Sequence, residues 1–439
     1  MSIDQLNTRL PKPDDRSENN IAMHAVPSVD SGGSGAVPVL SVLDSFGQLS
    51  SIGISSEVWD TFVQARGGDL YMSFDWCRLW WDHYGRGRKL RLFVGRDLQG
   101  AIVGLLPMFV ETVWLGPVRL RWAKLVGSDF LPSVLAPVLA TPYVGEMLRQ
   151  AIKTLIEKER CDAIVLGPLS DAPGGDGIPA QIRIACATLS NLAGLAQDSQ
   201  SNIHTTFQLP VTFDAYLGGL NKRQKQNLRR DLNLYAKSFT TKVDVVRDGE
   251  ELSQQFELFR QMHDRQWQAE NKLGHFDDWP GSVAFNQELV RTLGAMGRVR
   301  LVRLWANDQV VSYQYSLIFG DRLYWRLPAR LVGEEWNRYG MGRLGLVKMI
   351  EAAIGEGIHW IEGGPGHYDY KVQLGGQEVP LVSQVIVATS QKSQFRWRAF
   401  QKAARLLHLL YYRIWFGRVA PRLPLPRRPL WKSWIRSRY

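Results

Sequence analysis

The chain has 439 residues, which is enough for two domains of ordinary size, and its hydrophobic fraction of 45% can supply two substantial cores. This composition excludes a disordered chain, a collagen and a coiled-coil rod. Three widely spaced cysteines exclude a disulfide scaffold and argue against a structural zinc site. They predict a reducing compartment.

The positive charge is concentrated towards the carboxyl end. The net charge is +11, and twelve of the 53 Lys and Arg residues lie in 393–439, a segment without Asp or Glu. Subtracting those twelve leaves 41 basic against 42 acidic residues, so the body of the protein is neutral. This distribution disfavours a nucleic-acid-binding face on the folded body and favours a tail that meets an anionic surface.

The first 50 residues are predicted to be a disordered leader. They are rich in Ser, Asn, Asp, Pro and Gly, and they contain no apolar segment of the kind found in a secretory signal. No run elsewhere is apolar and long enough to span a bilayer. We therefore expect a cytoplasmic protein whose folded part begins near residue 51.

Residues 51–210 show the element order of an α/β domain. Two predicted helices precede a hairpin, a helix and a short strand, which read in order EVWDTFVQA, SFDWCRLWWDHYG, KLRLFVGRDLQGAIVGLLPMFVETV, GEMLRQAIKTLIEKER and DAIVLG. Residues 211–390 repeat this order and end in the helix RLGLVKMIEAAIGEG and the strand IHWIEGG. We interpret the chain as two copies of one architecture.

Residues 391–439 form a basic, aromatic segment. Their first part is predicted to be a helix whose apolar side carries Phe400, Ala403, Leu407, Leu410 and Ile414, and four prolines end any helix after it. Arginines alternate with tryptophans in the tail, so we expect residues 395–439 to contact an anionic membrane surface. Three alternatives remain: a tail that binds RNA, a solvated tail, and a helix that packs on the second domain.

A glycine-rich turn precedes a predicted helix. It reads Asn337, Arg338, Tyr339, Gly340, Met341, Gly342 and Arg343. Glycines two apart at such a junction expose backbone N–H groups, and the helix N-terminus adds partial positive charge, so the turn can hold a pyrophosphate. A plain turn with a glycine hinge is the alternative.

Several segments together carry a resemblance to a known family. They are YMSFDWCRLWWDHYG, LRLFVGRDLQGAIVGLLPM, KRQKQNLRRDL, MHDRQW and YDYKVQLGG. Over residues 55–390 the chain resembles CelD-like, BioF2-like acetyltransferases of the GNAT superfamily, which are similar to Fem-type tandem-GNAT proteins and recur with bacterial cellulose and exopolysaccharide synthesis. The resemblance implies an α/β, Fem-like tandem-GNAT fold and an acyl-CoA donor. The family's donor loop reads Arg/Gln-x-x-Gly-x-Gly/Ala, and here Asn337 departs from it while Gly340 and Gly342 agree.

The resemblance also implies roles for residues outside the glycine turn. Transfer of an acyl group from a thioester needs a base for the acceptor's proton and an acid for the thiolate. His263 is the candidate base, with Asp264 beside it, and an interior or surface histidine is the alternative. Tyr368 and Tyr370 are both candidates for the acid, and the sequence does not choose between them.

Further polar residues are candidates for binding the substrate. His367 and Lys371 flank the two tyrosines, and Lys371 can orient a phosphate or carboxylate. Glu362 ends a predicted strand, where a solvated carboxylate is the favoured interpretation. Arg229 and Arg230 are candidates for an anion site, or else lie on an exposed helical face. No metal is implied.

These observations predict an acyltransferase whose second half holds the donor and whose first half shapes the acceptor cleft. The expected reaction is acylation of a sugar, amino sugar or lipid-linked precursor at the inner face of a bacterial membrane. Aminoacyl transfer from charged tRNA, as in Fem proteins, is one alternative, although a neutral body disfavours it. A catalytically degenerate, membrane-linked assembly factor is another.

Overall fold

The computed structural model describes residues 37–129, 134–170, 177–270, 272–277, 279–423 and 430. In the first half of the chain the strands are β1 Val39–Leu43, β2 Lys89–Arg96, β3 Ile102–Leu115, β4 Val118–Leu125, β5 Val138–Leu139, β6 Ala163–Ser170 and β7 Ala193–Gln208. The helices there are α1 Ser56–Ala65, α2 Phe74–Tyr84, α3 Val144–Lys153 and α4 Ile178–Thr188.

The second half repeats the same order of elements. Its strands are β8 Thr241–Val246, β9 Val299–Ala306, β10 Gln309–Phe319, β11 Arg322–Arg330, β12 Trp360–Pro365 and β13 Gln377–Ala388. Its helices are α5 Phe213–Gly219, α6 Lys222–Ser238, α7 Gly249–Ala269, α8 Ser282–Ala295, α9 Glu334–Asn337, α10 Met341–Gly355 and α11 Asp369–Gln373. The helix α12, Gln391–Leu407, follows and continues as wider turns to Val419.

The described strands form a single sheet that joins both halves. Its order is β1-β2-β3-β4-β6-β13-β7-β12-β11-β10-β9-β8, with β5 added beside β3. The last strand of each half is exchanged: β7 pairs with β12 of the second half, and β13 pairs with β6 of the first. The two exchanged strands also pair with each other, so a division of the chain at residue 210 follows the sequence but not the strand pairing.

The predicted leader is too long, because the sheet already begins before residue 51. Val39–Leu43 pairs antiparallel with β2, and a 3-10 turn follows over Phe46–Ile52. Phe46 and Leu49 of that turn are buried in the core of the first half. The short apolar run VLSVL between polar segments was the available signal. Residues 1–36 lie outside the described part of the chain.

Helices cover both faces of the second half of the sheet. On one face α7 and α8 bury Phe256 and Phe285 in the large core that extends into the first half, where Trp76 contacts Phe285 with ring centroids 5.4 Å apart. On the other face α10 buries Leu346 and Ile350 against Trp325. A ligand between β11 and β12 is therefore approached by α7 from one side and by α10 from the other.

The helix α12 packs on β3 and β4 of the first half and on the exchanged strand β13, which pairs with β6. Trp397 and Phe400 are buried, and the rings of Phe400 and Trp122 lie edge to face at 5.2 Å. Of the residues predicted on this side, Leu410 and Ile414 instead remain 53% and 43% exposed. No helix among the described residues is both long and apolar enough to cross a bilayer.

We expect Phe400→Ala to lower the free energy of unfolding by about 3–5 kcal/mol, because it leaves a cavity between α12 and the sheet. Phe395 is a matched control on the same helix, since its side chain is 74% exposed. Urea unfolding of both variants checks the prediction. Equal stabilities for F400A and F395A would contradict the packing of α12.

Candidate active site

The strands β11 and β12 pair in parallel over a short stretch and then separate. The paired residues are Arg322 with Trp360, Leu323 with Ile361, and Tyr324 with Glu362. Past this point β11 continues to Arg330, and a bulge beside Tyr315 leaves Arg326 out of register. Past Tyr324, no strand in the described part of the chain pairs with the edge of β11 that faces β12.

Side chains of α7 occupy part of this open edge. Pro328 lies opposite Gln314 of β10, and as a proline it has no N–H to donate to a neighbouring strand. Its carbonyl accepts a hydrogen bond from Nδ1 of His263 at 2.8 Å, and the Arg330 N–H donates to Oε1 of Gln266 at 3.0 Å. Side chains of α7 therefore take the free carbonyl of Pro328 and the free N–H of Arg330 at this edge.

His263 is fully buried, and both its ring nitrogens are engaged. Because a carbonyl can only accept, Nδ1 carries the proton that bonds Pro328, and Nε2 must accept from Nδ1 of His275 at 3.0 Å. Burial lowers the pKa of His263 to about 4, so the ring is neutral at neutral pH. The predicted base thus lies at the open edge but presents no nitrogen to a substrate. The sequence reasoning missed His275, which the spacing from His263 across a helix end could have suggested.

Lys371 lies in the gap on the α10 side. Its side chain is buried, and Nζ donates to the carbonyl of Gly363 at 2.6 Å. The Nζ atom also lies 4.4 Å from the ring centre of Tyr368 and 5.4 Å from that of Trp325. Burial lowers the pKa of Lys371 from 10.5 to about 7. Lys371, predicted to orient a phosphate or carboxylate, is therefore a buried amine inside the gap whose charge changes near neutral pH.

The two candidate tyrosines occupy different places. Tyr370 packs against the core under α10, and burial raises the pKa of its hydroxyl. Tyr368 is half-buried, and the cation of Lys371 lies over its ring. Since Lys371 also contacts the edge of β12, the geometry favours Tyr368 as the tyrosine beside the gap.

The amino end of α10 is open and lined by arginines. Gly340 precedes the helix with φ +62°, a conformation that favours glycine. The N–H groups of Met341 and Gly342 donate to no acceptor in the described residues. A Cβ on Gly342 would meet only Arg330, at 3.9 Å. The helix N-terminus is thus not blocked by protein atoms.

Other charged residues surround this end of α10. Arg343 forms an ion pair with the buried Asp231 of α6, and Arg230 beside it is largely exposed. Arg229 is also exposed, and Arg338 stacks on Tyr339 at 4.7 Å. The carbonyl of Asn337, at the predicted consensus position, accepts from the N–H of Gly340 at 3.3 Å, so Asn337 acts through its backbone. The structure therefore places the predicted glycine turn beside basic residues of α6, which include Arg230.

Glu362 is buried at the foot of the gap, so the expectation of a solvated carboxylate was wrong. It accepts from Arg322 at 2.9 Å, and Nδ1 of His204 lies 3.4 Å from its other oxygen. The hydroxyl of Tyr324 donates to Asp69 of the first half at 3.1 Å. Burial and the nearby Glu362 carboxylate raise the pKa of Asp69 to about 7. Asp69 was not expected from the sequence, because its partners come from the other half.

Two predicted binding residues lie outside the gap. His367 is exposed, and its two nitrogens lie 2.6 Å from Glu378 and 3.1 Å from Asp369, which raises the pKa of the imidazole. Asp264 lies on α7 and pairs with Arg260 at 2.7 Å. Burial raises the pKa of Asp264. Both nitrogens of His367 are thus engaged by carboxylates, whereas Oδ1 of Asp264 is buried and accepts no hydrogen bond from the described residues.

The corresponding gap in the first half is filled by the chain itself. There β4 and β6 pair in parallel from Trp122 with Ala163 to Lys124 with Val165. Beyond them the Leu135 N–H donates to the carbonyl of Pro168 at 2.7 Å, so the segment before β5 lies along the open edge of β6. The second half therefore offers the more accessible gap.

The comparisons with known proteins agree with this geometry. The family described as Acetyltransferase (GNAT) domain matches residues 222–372. These residues form a GNAT domain. The match includes α6, α7, the glycine turn and Lys371, and so covers the gap on both faces of the sheet. No curated protein is significantly similar in sequence. Among the described residues, no group of three or more His, Cys, Asp or Glu is placed to hold a metal ion.

The structure of FemX supports the predicted fold, and two further solved structures are less similar. FemX is 12% identical with a TM-score of 0.55, and the alignment covers 81% of this chain and 98% of FemX. The tandem GNAT protein from the clavulanic acid biosynthesis pathway is 11% identical with a TM-score of 0.44, over 80% and 99% of the two chains. L-PGS from Bacillus licheniformis is 8% identical with a TM-score of 0.45, over 75% and 91%. The FemX likeness shows the fold alone, which is a Fem-like tandem GNAT.

Proposed function

We propose that the protein transfers an acyl group from acyl-CoA to the amine or hydroxyl of a sugar, amino sugar or lipid-linked precursor in bacterial polysaccharide or envelope synthesis. The observation that carries the proposal is the open gap between β11 and β12, which adjoins the unblocked, arginine-lined end of α10. Backbone N–H groups at a helix N-terminus bind phosphate groups well. The thioester then lies between β11 and β12, near Lys371.

The residues around the gap suit the chemistry of acyl transfer. The amides of Met341 and Gly342, with Arg330, would hold the donor's diphosphate. Lys371, when protonated, would stabilise the negative charge that develops on the thioester carbonyl oxygen. Tyr368 is the proposed acid for the departing thiolate. Arg229 and Arg230 remain candidates for an anionic group of the acceptor.

Binding of acetyl-CoA, measured by isothermal titration calorimetry, tests the proposal. A dissociation constant in the micromolar range supports it, with adenosine 3′-phosphate 5′-diphosphate as a probe of the diphosphate end alone. No heat at millimolar acetyl-CoA would contradict it and favour the catalytically degenerate assembly factor.

One observation favours a second candidate, aminoacyl transfer from charged tRNA as in Fem-type proteins. A pantetheine arm can align along a strand edge through its amides, as peptides do in strand addition. Here Pro328 and Arg330 already bond His263 and Gln266 of α7. An aminoacyl ester has no pantetheine arm, so the occupied strand edge does not weaken its binding. Transfer from charged tRNA by protein that fails to bind acetyl-CoA would select this candidate.

We also propose that the carboxyl-terminal helix lies on an anionic membrane surface. Its outer side carries half-exposed apolar residues beside exposed arginines, namely Leu406, Leu409, Leu410, Ile414 and Trp415 with Arg405, Arg413 and Arg418. Apolar side chains enter the interfacial layer, and arginines bind acidic headgroups. Because Trp397 and Phe400 of the same segment are buried, deleting residues 395–439 would expose the core of the first half. Point substitutions are therefore the sharper test.

We expect Leu409→Gln combined with Leu410→Gln to weaken binding to phosphatidylglycerol vesicles by about tenfold or more, since each half-exposed leucine contributes about 1 kcal/mol when buried. Val211→Gln with Leu98→Gln is the control, because these side chains are 90% and 84% exposed elsewhere. Vesicle co-sedimentation gives the measurement. Equal loss in both pairs of variants, or no loss, would contradict the assignment.

A further inference from the structure

We propose that His275 is the general base that takes the proton from the acceptor, and that His263 is a positioning residue that fixes the orientation and tautomer of His275. The inference rests on the proposed acyltransferase function and names the acceptor-side proton acceptor of that site. It replaces the predicted role of His263, whose buried ring has no nitrogen available to a substrate.

A chain of hydrogen bonds determines where the protons lie. The Pro328 carbonyl fixes the proton of His263 on Nδ1, which leaves Nε2 as an acceptor. Nε2 then accepts the Nδ1 proton of His275 at 3.0 Å. The remaining nitrogen of His275, Nε2, carries a lone pair and has no protein partner among the described residues. A fixed tautomer with one free basic nitrogen is what a general base requires.

The histidine pair lies on the face of the sheet opposite the proposed diphosphate site, which leaves this face for the acceptor. His263 reaches the open edge of β11 from α7, on the opposite face of the sheet from α10 and the proposed diphosphate site. His275 lies in the turn between α7 and α8 and is partly exposed. An acceptor that approaches over this turn meets His275 first, while the donor enters from the α10 side.

The surroundings of His275 hold it in place. The ring of Trp267 lies edge to face with it at 5.1 Å, and Nε1 of that tryptophan is buried without an acceptor in the described residues. The charged or titratable groups around it are His263 and Asp264 on α7 and Lys272 and Asp277 in the turn. From α8, the Ser282 hydroxyl donates to the His275 carbonyl at 3.5 Å.

The acceptor nitrogen or oxygen bonds to the acyl carbon while its proton moves to Nε2 of His275. The carbon–sulfur bond then breaks, and the thiolate takes a proton from Tyr368. His275 returns its proton to solvent through its partly exposed face, and Tyr368 is reprotonated from water, so both residues end in their starting states. His263 stays neutral throughout because burial keeps the pKa of its ring at about 4.

The test uses the full chain with acetyl-CoA and D-glucosamine. We expect His275→Gln to lower kcat on the order of 100-fold, to leave acetyl-CoA affinity within about twofold, and to remove the acidic limb of the kcat–pH profile. His263→Ala should lower kcat similarly, and His263→Gln, which can still donate to Pro328 and accept from His275, should restore part of it. Histidine ¹⁵N NMR on the wild type should show both rings protonated on Nδ1 at pH 7.5.

The outcomes separate this role from the proposed function. An active wild type with an unchanged H275Q variant and pH profile would overturn the role of His275 and leave the function intact. Equal losses in H263Q and H263A would overturn the positioning role. A His275 ring protonated on Nε2 would overturn the inference whatever the activity. A wild type that binds neither acetyl-CoA nor charged tRNA, with the NMR pattern intact, would instead reject the proposed function and with it the need for a base.

Discussion

Gly342→Val is expected to lower the affinity for acetyl-CoA on the order of 100-fold while the protein stays folded. The helix N-terminus binds the donor's diphosphate only if the phosphate oxygens approach the backbone closely, and two lost charge-assisted hydrogen bonds account for about 3 kcal/mol. A Cβ at Gly342 meets only the flexible Arg330 side chain, at 3.9 Å, so the substitution leaves the packing unchanged. Calorimetry of the variant gives the affinity directly.

The choice of Gly342 over Gly340 matters for this experiment. Gly340 has φ +62°, so a branched residue there strains the turn, and lost binding would report local unfolding. Gly355, at the other end of α10, is the matched control because nothing lies within 4 Å of a Cβ placed on it. Unchanged affinity in G342V, or equal loss in G355V, would contradict a diphosphate site at the start of α10.

The order of elements was predictable from the sequence, but the way the strands join was not. Apolar periodicity located the helices, and the repeated order indicated two related halves, which the FemX likeness supports at the level of fold. The exchange of β7 and β13 depends on pairing between segments far apart in the chain, which no local pattern encodes. The same limitation hid β1, whose partner β2 follows α1 and α2.

Some features of the candidate site could likewise be predicted from the sequence, and others could not. The glycine turn could be found from sequence because its function depends on local backbone geometry, and the structure shows it open at the start of α10. The burial of His263, Lys371 and Glu362 could not be found from the sequence, because each is covered by residues from other elements. Asp69 was missed for the same reason, since its partner Tyr324 lies in the other half, whereas His275 lies close in sequence to its partner His263 and could have been found.

The pH dependence of the proposed reaction comes from two groups, one of which must be deprotonated and the other protonated. His275 acts as a base only when its free nitrogen is unprotonated, so the rate rises with pH on the acidic side. Lys371 stabilises the carbonyl oxygen only while it is protonated, and its pKa of about 7 makes the rate fall on the alkaline side. A bell-shaped profile is expected, and each limb is assigned to one residue.

Lys371→Arg is expected to keep kcat high above pH 8, because a guanidinium stays protonated, whereas Lys371→Met should lower kcat about 100-fold at every pH. The profile of K371R decides the assignment, since loss of the alkaline limb identifies Lys371 as its source. An alkaline limb that persists in K371R, or full activity in K371M, would exclude a cationic role for this lysine.

The same lysine should leave a signature in stability that does not depend on activity. The folded pKa of about 7 lies below the ordinary 10.5, so between these values the unfolded chain binds more protons. The free energy of unfolding therefore rises with pH by about 1.4 kcal/mol per unit across this window, and this stability is lost as the pH falls towards 7. K371M should lack that slope, while the control Lys348→Met, which removes a lysine that bonds Glu351 at 2.7 Å on α10, should keep it. Urea unfolding between pH 7 and 9.5 gives the slopes, and equal slopes in wild type and K371M would show that Lys371 is not buried as an amine in the gap.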